Sequence, residues 1–180
     1  MTELRVHGVI VACSLLASVV IVASIAAQSG PQAGSKGAAR GIVLQRTISL
    51  AAAKTIAEAT LTACTSKGFH TAAVVVDRAG QIIVLLRDEE ASPQTADMAR
   101  RKAYTARMFR TTTLEFQKRT ASDPALAPQR DVADILALGG GVPILAGGEI
   151  VGGVGSSGSN QEMDDACAKA GLAAAAELLK

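Results

Sequence analysis

The stretch that most constrains the fold is Gly139–Gly158, GGGVPILAGGEIVGGVGSSG, with SNQEMDDACAKAG behind it. Its short apolar runs VPIL and EIVGGV are separated by Gly147-Gly148, a pair suited to a two-residue hairpin turn, so the runs read as antiparallel neighbours. Gly153, Gly155 and Gly158 also spell G-x-G-x-x-G between a strand-like run and a helix-like one, which is how a dinucleotide-binding turn begins. That fold needs a second parallel strand after the helix, with an acidic residue about 20 residues on. The sequence instead reaches Lys180 within the helix, and no Lys-Ser or Lys-Thr follows the glycines to make a P-loop. The motif therefore reads as a strand-to-helix turn without its nucleotide fold. Glycines allow tight turns and let a helix approach a sheet closely. The competing use is an anion cradle made by the backbone N–H groups of Gly155 to Ser159 beside a helix N-terminus.

The rest of the chain agrees with an antiparallel sheet. In TISLAAAKTIAEATLTACTS, Ile48, Ala52, Ile56, Ala59 and Ala63 fall near helical spacing, with Gly68 as a plausible stop. HTAAVVVD and QIIVLLRD are β-rich runs joined by Arg78-Ala79-Gly80, which predicts a second hairpin. Thr95 to Lys118 reads as a long helix that breaks near Thr111-Thr112-Thr113, where β-branched residues crowd. Asp123 to Arg130 reads as loop, ILAL as a further short strand, and Ser159 with Glu162 as a capping box that opens the last helix, running to Leu179. The order helix, hairpin, helix, strands, helix describes an α+β domain.

Val9 to Ala27 carries no charge, follows Arg5 and His7, and ends in the small residues Ala23, Ala26 and Ala27. Residues 1–27 read as a signal peptide cleaved near Ala27 or Gln28, with an uncleaved membrane anchor as the alternative. The Gly-, Ser- and Ala-rich run QSGPQAGSKGAAR lacks large apolar residues, so 28–46 reads as a flexible linker and 47–180 as the folded domain. The 18 basic and 16 acidic side chains leave a net charge of +2, too little for a nucleic-acid or lipid field. Aromatic residues at 2% leave little for stacking on bases. Cys64 and Cys167 remain after cleavage; export would permit a bridge between them, but the sequence alone favours two small buried thiols. One mature histidine, His70, cannot build a zinc site of several imidazoles. The serines at 156, 157 and 159 have no neighbouring histidine and do not form G-x-S-x-G.

Three ordered stretches, VVVDRAGQIIVLLRD, ARRKAYTARMF and GGVPILAGGEIVGGVGSSGSNQEMDDACAKAGLAA, resemble the GlcG/HbpS family of haem-binding and haem-degrading proteins over about Ile48 to Leu179. The resemblance implies a profilin-like five-stranded antiparallel sheet with helices on both faces, and a homo-oligomer. It also implies haem as ligand and, for the exported branch, a membrane sensor kinase as partner. One departure stands after the first hairpin: the family often shows R-x-D-G-A, whereas this chain has Arg87-Asp88-Glu89-Glu90-Ala91.

Haem needs an apolar slot, an iron ligand and donors for two propionates. Met98, Thr105 and Phe109 fall on one helical stripe with Arg101 and Lys102 alongside, although core packing explains such a stripe equally well. By family position Thr105 faces the iron; His70 is the alternative ligand, and Tyr104 and Met108 are local ones. Gly155 and Gly158 complete the candidate binding set. The reading that follows is a secreted or periplasmic oligomeric haem-binding protein that senses or sequesters haem. The alternatives are an enzyme on haem or a small organic acid, with Gly155 to Ser159 holding the anion and Asp164 as acid or base, and a scaffold without a small ligand.

Overall fold

The computed structural model describes residues 41–180. The leader and most of the linker therefore lie outside the described residues, and the folded unit is Leu44–Lys180. Helix α1, Leu50–Thr65, begins where the Ser49 hydroxyl accepts the Ala52 N–H at 3.2 Å. Strands β1, Ala72–Asp77, and β2, Ile82–Arg87, form the first hairpin. Asp77 fixes its turn, because one carboxylate oxygen accepts from the N–H groups of Ala79 and Gln81 at 2.8 and 2.9 Å.

Helix α2, Gln94–Phe109, ends at Arg110, which adopts the left-handed conformation (φ 57°, ψ 33°). Helix α3, Thr113–Ser122, then starts from a Thr112 cap, so the threonine cluster breaks the helix as expected. A 3-10 turn, Ala127–Asp131, lies within the expected loop. Strands β3, Gly141–Ala146, and β4, Glu149–Ser157, are joined by Gly147 and Gly148 at φ of 58° and 81°, the positive values a two-residue hairpin turn requires. Helix α4, Gln161–Ala174, is followed by a 3-10 turn over Ala176–Leu179.

The sheet is wholly antiparallel in the order β2-β1-β4-β3. Side chains alternate along a strand, and β1 is apolar at every position from 72 to 76, so both of its faces require cover. Ala73 and Val75 join the core with Ile56 and Ala57 of α1 and Ala168 of α4, while Ala72, Val74 and Val76 pack on Ala99 and Ala103 of α2. Helices thus cover both faces.

Three expectations need correction. The sheet has four strands among the described residues, because the ILAL run forms none. Its backbone is bonded to α2 side chains instead: Arg101 donates to the Ile135 carbonyl at 2.7 Å, and the Leu136 N–H donates to Thr105 at 2.9 Å. Helix α4 is capped by Asn160, whose side chain accepts the Met163 N–H at 2.8 Å. The Ser159 hydroxyl is turned inward to Asp164. Finally, Cys64 and Cys167 form a disulfide, their Cα atoms 5.6 Å apart, well within the usual span. The bridge forms because α4 lies very close to α1 at Gly171, where a Cβ would meet the Thr60 hydroxyl and the Ile56 carbonyl.

Candidate functional site

Glycines in β3 and β4 let α2 lie directly on sheet backbone. A Cβ at Gly155 would strike the Ala99 carbonyl, one at Gly153 the Ala103 carbonyl, and one at Gly141 the Lys102 carbonyl. Gly155 therefore serves the close packing of α2 on the sheet. Gly158 (φ +139°) closes the end of β4 against the His70 carbonyl, again leaving no room for a side chain.

This close approach carries Lys102 into the interior. Its Nζ donates to Asp164 Oδ2 at 2.8 Å and to the Ser156 carbonyl at 3.0 Å, with the two side chains 1% and 2% exposed. The other Asp164 oxygen accepts from the Ser159 hydroxyl at 2.7 Å and the Ser159 N–H at 3.2 Å. Asp164 also sits in the first turn of α4, where the helix dipole favours a carboxylate. Burial pulls the Lys102 ammonium below its ordinary pKa, opposed by Asp164. Over this pair lies a cleft of about 250 Å³, reached by Thr95, Met98, Leu138, Gly158 and Gln161.

Of the residues singled out from the sequence, Met98, Lys102 and Gly158 share this cleft with Asp164 and Ser159. Arg101 and Thr105 are instead engaged with the 135–136 backbone. The Thr105 hydroxyl is fully buried, donating to the Arg101 carbonyl at 2.8 Å while it accepts from Leu136, so its proton and one of its two lone pairs are engaged within the fold. Phe109 packs against Phe116, ring centroids 4.3 Å apart.

His70 stands just before β1, its side chain 45% exposed, with Nδ1 3.1 Å from Asp88 and Nε2 3.0 Å from Glu90. The hydrogen bond to Asp88 raises the imidazole pKa above its ordinary value of 6.5. These two carboxylates occupy the position where Glu90 replaces the glycine of the expected pattern.

Sequence reasoning sets Lys102 beside the haem-facing stripe and does not pair it with Asp164, because a contact spanning 62 residues leaves no local periodicity. It also passed over Arg78, Arg107 and Arg110, which the fold gathers from a turn and from the end of α2. The spacing of Arg107 and Arg110 by three residues was the available signal.

Residues 48–173 match the family model described as haem degrading protein HbpS-like. The chain belongs to the HbpS-like family. An uncharacterised 15.0 kDa protein of Citrobacter freundii, from the dhaT-dhaS intergenic region, is 31% identical to this HbpS-like chain over 134 residues, 73% of this chain and 94% of the relative. A double mutant of Streptomyces reticuli HbpS is similar in structure, with a TM-score of 0.71 and 36% identity over 75% of this chain and 91% of that one. The ORFY protein of Klebsiella pneumoniae matches with a TM-score of 0.72 and 27% identity over 77% and 97% of the two chains.

Proposed function

We propose that this HbpS-like protein binds haem and that His70 is its iron ligand. The observation that carries the ligand choice is the His70–Asp88 pair: a metal-binding imidazole typically gives its second ring nitrogen to a carboxylate, which fixes the ring and raises its basicity. Glu90 is 70% exposed, so its hold on Nε2 is a solvated contact that an incoming iron displaces. Membership in a family described by haem degradation supports the ligand class.

The cleft tests the fit of the porphyrin. Ligand pockets typically enclose about 300–1,000 Å³, so about 250 Å³ is too small to enclose a whole haem, and His70 is not among the residues that line it. Met98 and Leu138 would supply apolar contact there, and the Gln94 and Gln161 amides would donate to a propionate. Lys102 would add little, since Asp164 and Ser156 hold two of its three protons and its side chain is 1% exposed. Haem, when bound, supplies redox and oxygen chemistry; the chain's part is to orient His70 through Asp88 and to keep the Lys102–Asp164 pair dry.

The protein is further proposed to act outside the cytoplasm as a homo-oligomer that holds or reports haem, with a membrane sensor kinase as partner. The Cys64–Cys167 bridge supports an oxidising compartment. Ile82 and Leu85, 47% and 43% exposed on edge strand β2, support a covered surface in an assembly. Titration with ferric haemin should give a saturable shift of the Soret band. A linear, unsaturable response overturns the proposal. Addition of a reductant to the complex separates holding, in which the band persists, from breakdown, in which it decays.

The second reading is an enzyme on a small organic acid. A cleft of this size, closed at its base by Lys102 and Asp164, is what favours it. Turnover of such an acid by haem-free protein, abolished in Asp164→Asn, is its test.

A further inference from the structure

At the end of α2 remote from the cleft, Arg107 and Arg110 meet Arg78 from the first hairpin turn around a pocket of about 410 Å³, completed by Leu145, Gly148, Glu149 and Ile150. Met98 and Arg107 are nine helical residues apart, about 13 Å along the axis. Three guanidiniums thus face one carboxylate. Among the described residues Glu149 approaches only Arg78, at 3.4 Å, and Arg78 also donates to the Arg46 carbonyl at 3.3 Å.

Arg107 and Arg110 make no ion pair among the described residues. The base of the Arg107 side chain packs over Gly153, where a Cβ would lie 3.2 Å from its own Cβ. Its Nε is buried and has no hydrogen-bond partner among the described residues. A buried donor without an acceptor is costly and uncommon. Burial, followed by the fields of Arg78 and Arg110, pulls its guanidinium below the ordinary pKa, opposed by Asp77. A cation near a helix C-terminus is favoured by the dipole, which accounts for one such residue on α2 but not for Arg78, which comes from another element.

We infer that Arg78, Arg107 and Arg110 form a binding site for a small organic dianion, a dicarboxylate or a phosphate monoester. Guanidinium forks match the oxygens of carboxylates and phosphates in pairs. A two-charge head group relieves the repulsion among the three cations. Leu145 and Ile150 give the organic body an apolar wall.

The test is calorimetric titration of the full chain with inorganic phosphate and with succinate at low ionic strength. Saturable binding of either is expected: phosphate alone assigns a tetrahedral head group, succinate alone a dicarboxylate. Arg107→Gln and Arg110→Gln should each weaken it by on the order of tenfold, and Arg107→Lys, which keeps charge but loses the fork, by an intermediate factor. Both glutamine variants should melt no lower than the parent, because each removes one of three mutually repelling cations. Absence of saturation with both probes, or glutamine variants that bind as the parent does, overturns the site. Competition by haemin would also overturn it as a separate site, whereas failure of the haem proposal at His70 leaves it untouched.

Discussion

Replacing Lys102 with methionine removes the cation that Asp164 faces at 2.8 Å in a nearly water-free setting. Breaking a buried pair on one side strands the remaining charge and typically costs about 3–5 kcal/mol. Lys102→Met should lower unfolding free energy by about that amount in urea titration, and adding Asp164→Leu should recover most of it. His70 gives a pH prediction. Because Asp88 raises its pKa above 6.5, the ring holds its proton to higher pH than a free imidazole, and a protonated ring cannot ligate iron. Haem affinity should therefore rise as pH increases through a midpoint above the ordinary value, and Asp88→Asn should move that midpoint down. Equilibrium haem titrations from pH 5.5 to 8.5 check this, with roughly one-unit steps sufficient to locate a single-proton transition. Met98, Lys102, Gly158 and Asp164 were legible in the sequence as separate candidates. Their convergence was not, since it depends on α2 lying on β4. The occupation of Thr105 was hidden because its partner, the Leu136 N–H, belongs to a run that reads as a strand.

At the scale of elements, glycine decides how the layers meet. A methyl group at Gly155 would strike the Ala99 carbonyl, so Gly155→Ala must push α2 off the sheet. Overpacking of this kind typically costs about 1–3 kcal/mol, and thermal or urea unfolding should show it; the same substitution at exposed Gly41, whose Cβ would meet nothing, should be silent. Both hairpins, the α2–α3 break and the first helix were readable because turn chemistry and side-chain period are local. The fifth strand was misread for the same reason. ILAL has strand-like composition, but tertiary hydrogen bonds from Arg101 and Thr105 take its backbone groups before another strand can. The helix cap lies at Asn160, one residue beyond Ser159, because the serine side chain is turned inward to donate to the buried Asp164 carboxylate.

For the whole molecule, the Cys64–Cys167 bridge closes a separation of 103 residues and ties the first helix to the last. Restricting so long a loop in the unfolded chain stabilises the fold by about 2–5 kcal/mol. The Cys64→Ser, Cys167→Ser double variant should lose that much in denaturant unfolding, while a parent treated with reductant should move in the same direction. In the sequence this bridge reads only as a possibility permitted by export, because the approach of α4 to α1 that brings the two cysteines together depends on Gly171. The family, by contrast, was legible from three ordered motifs, since together they specify sheet, turn and helix contacts across nearly the whole folded unit. The central claim is that this HbpS-like chain holds haem iron through His70. Its most direct test is a ferric haemin titration of the parent and His70→Ala side by side, followed in the Soret region. The account predicts saturation for the parent and an affinity loss on the order of tenfold or more in the variant, the effect of removing a direct ligand. Superimposable curves, or no saturation in either, would contradict it.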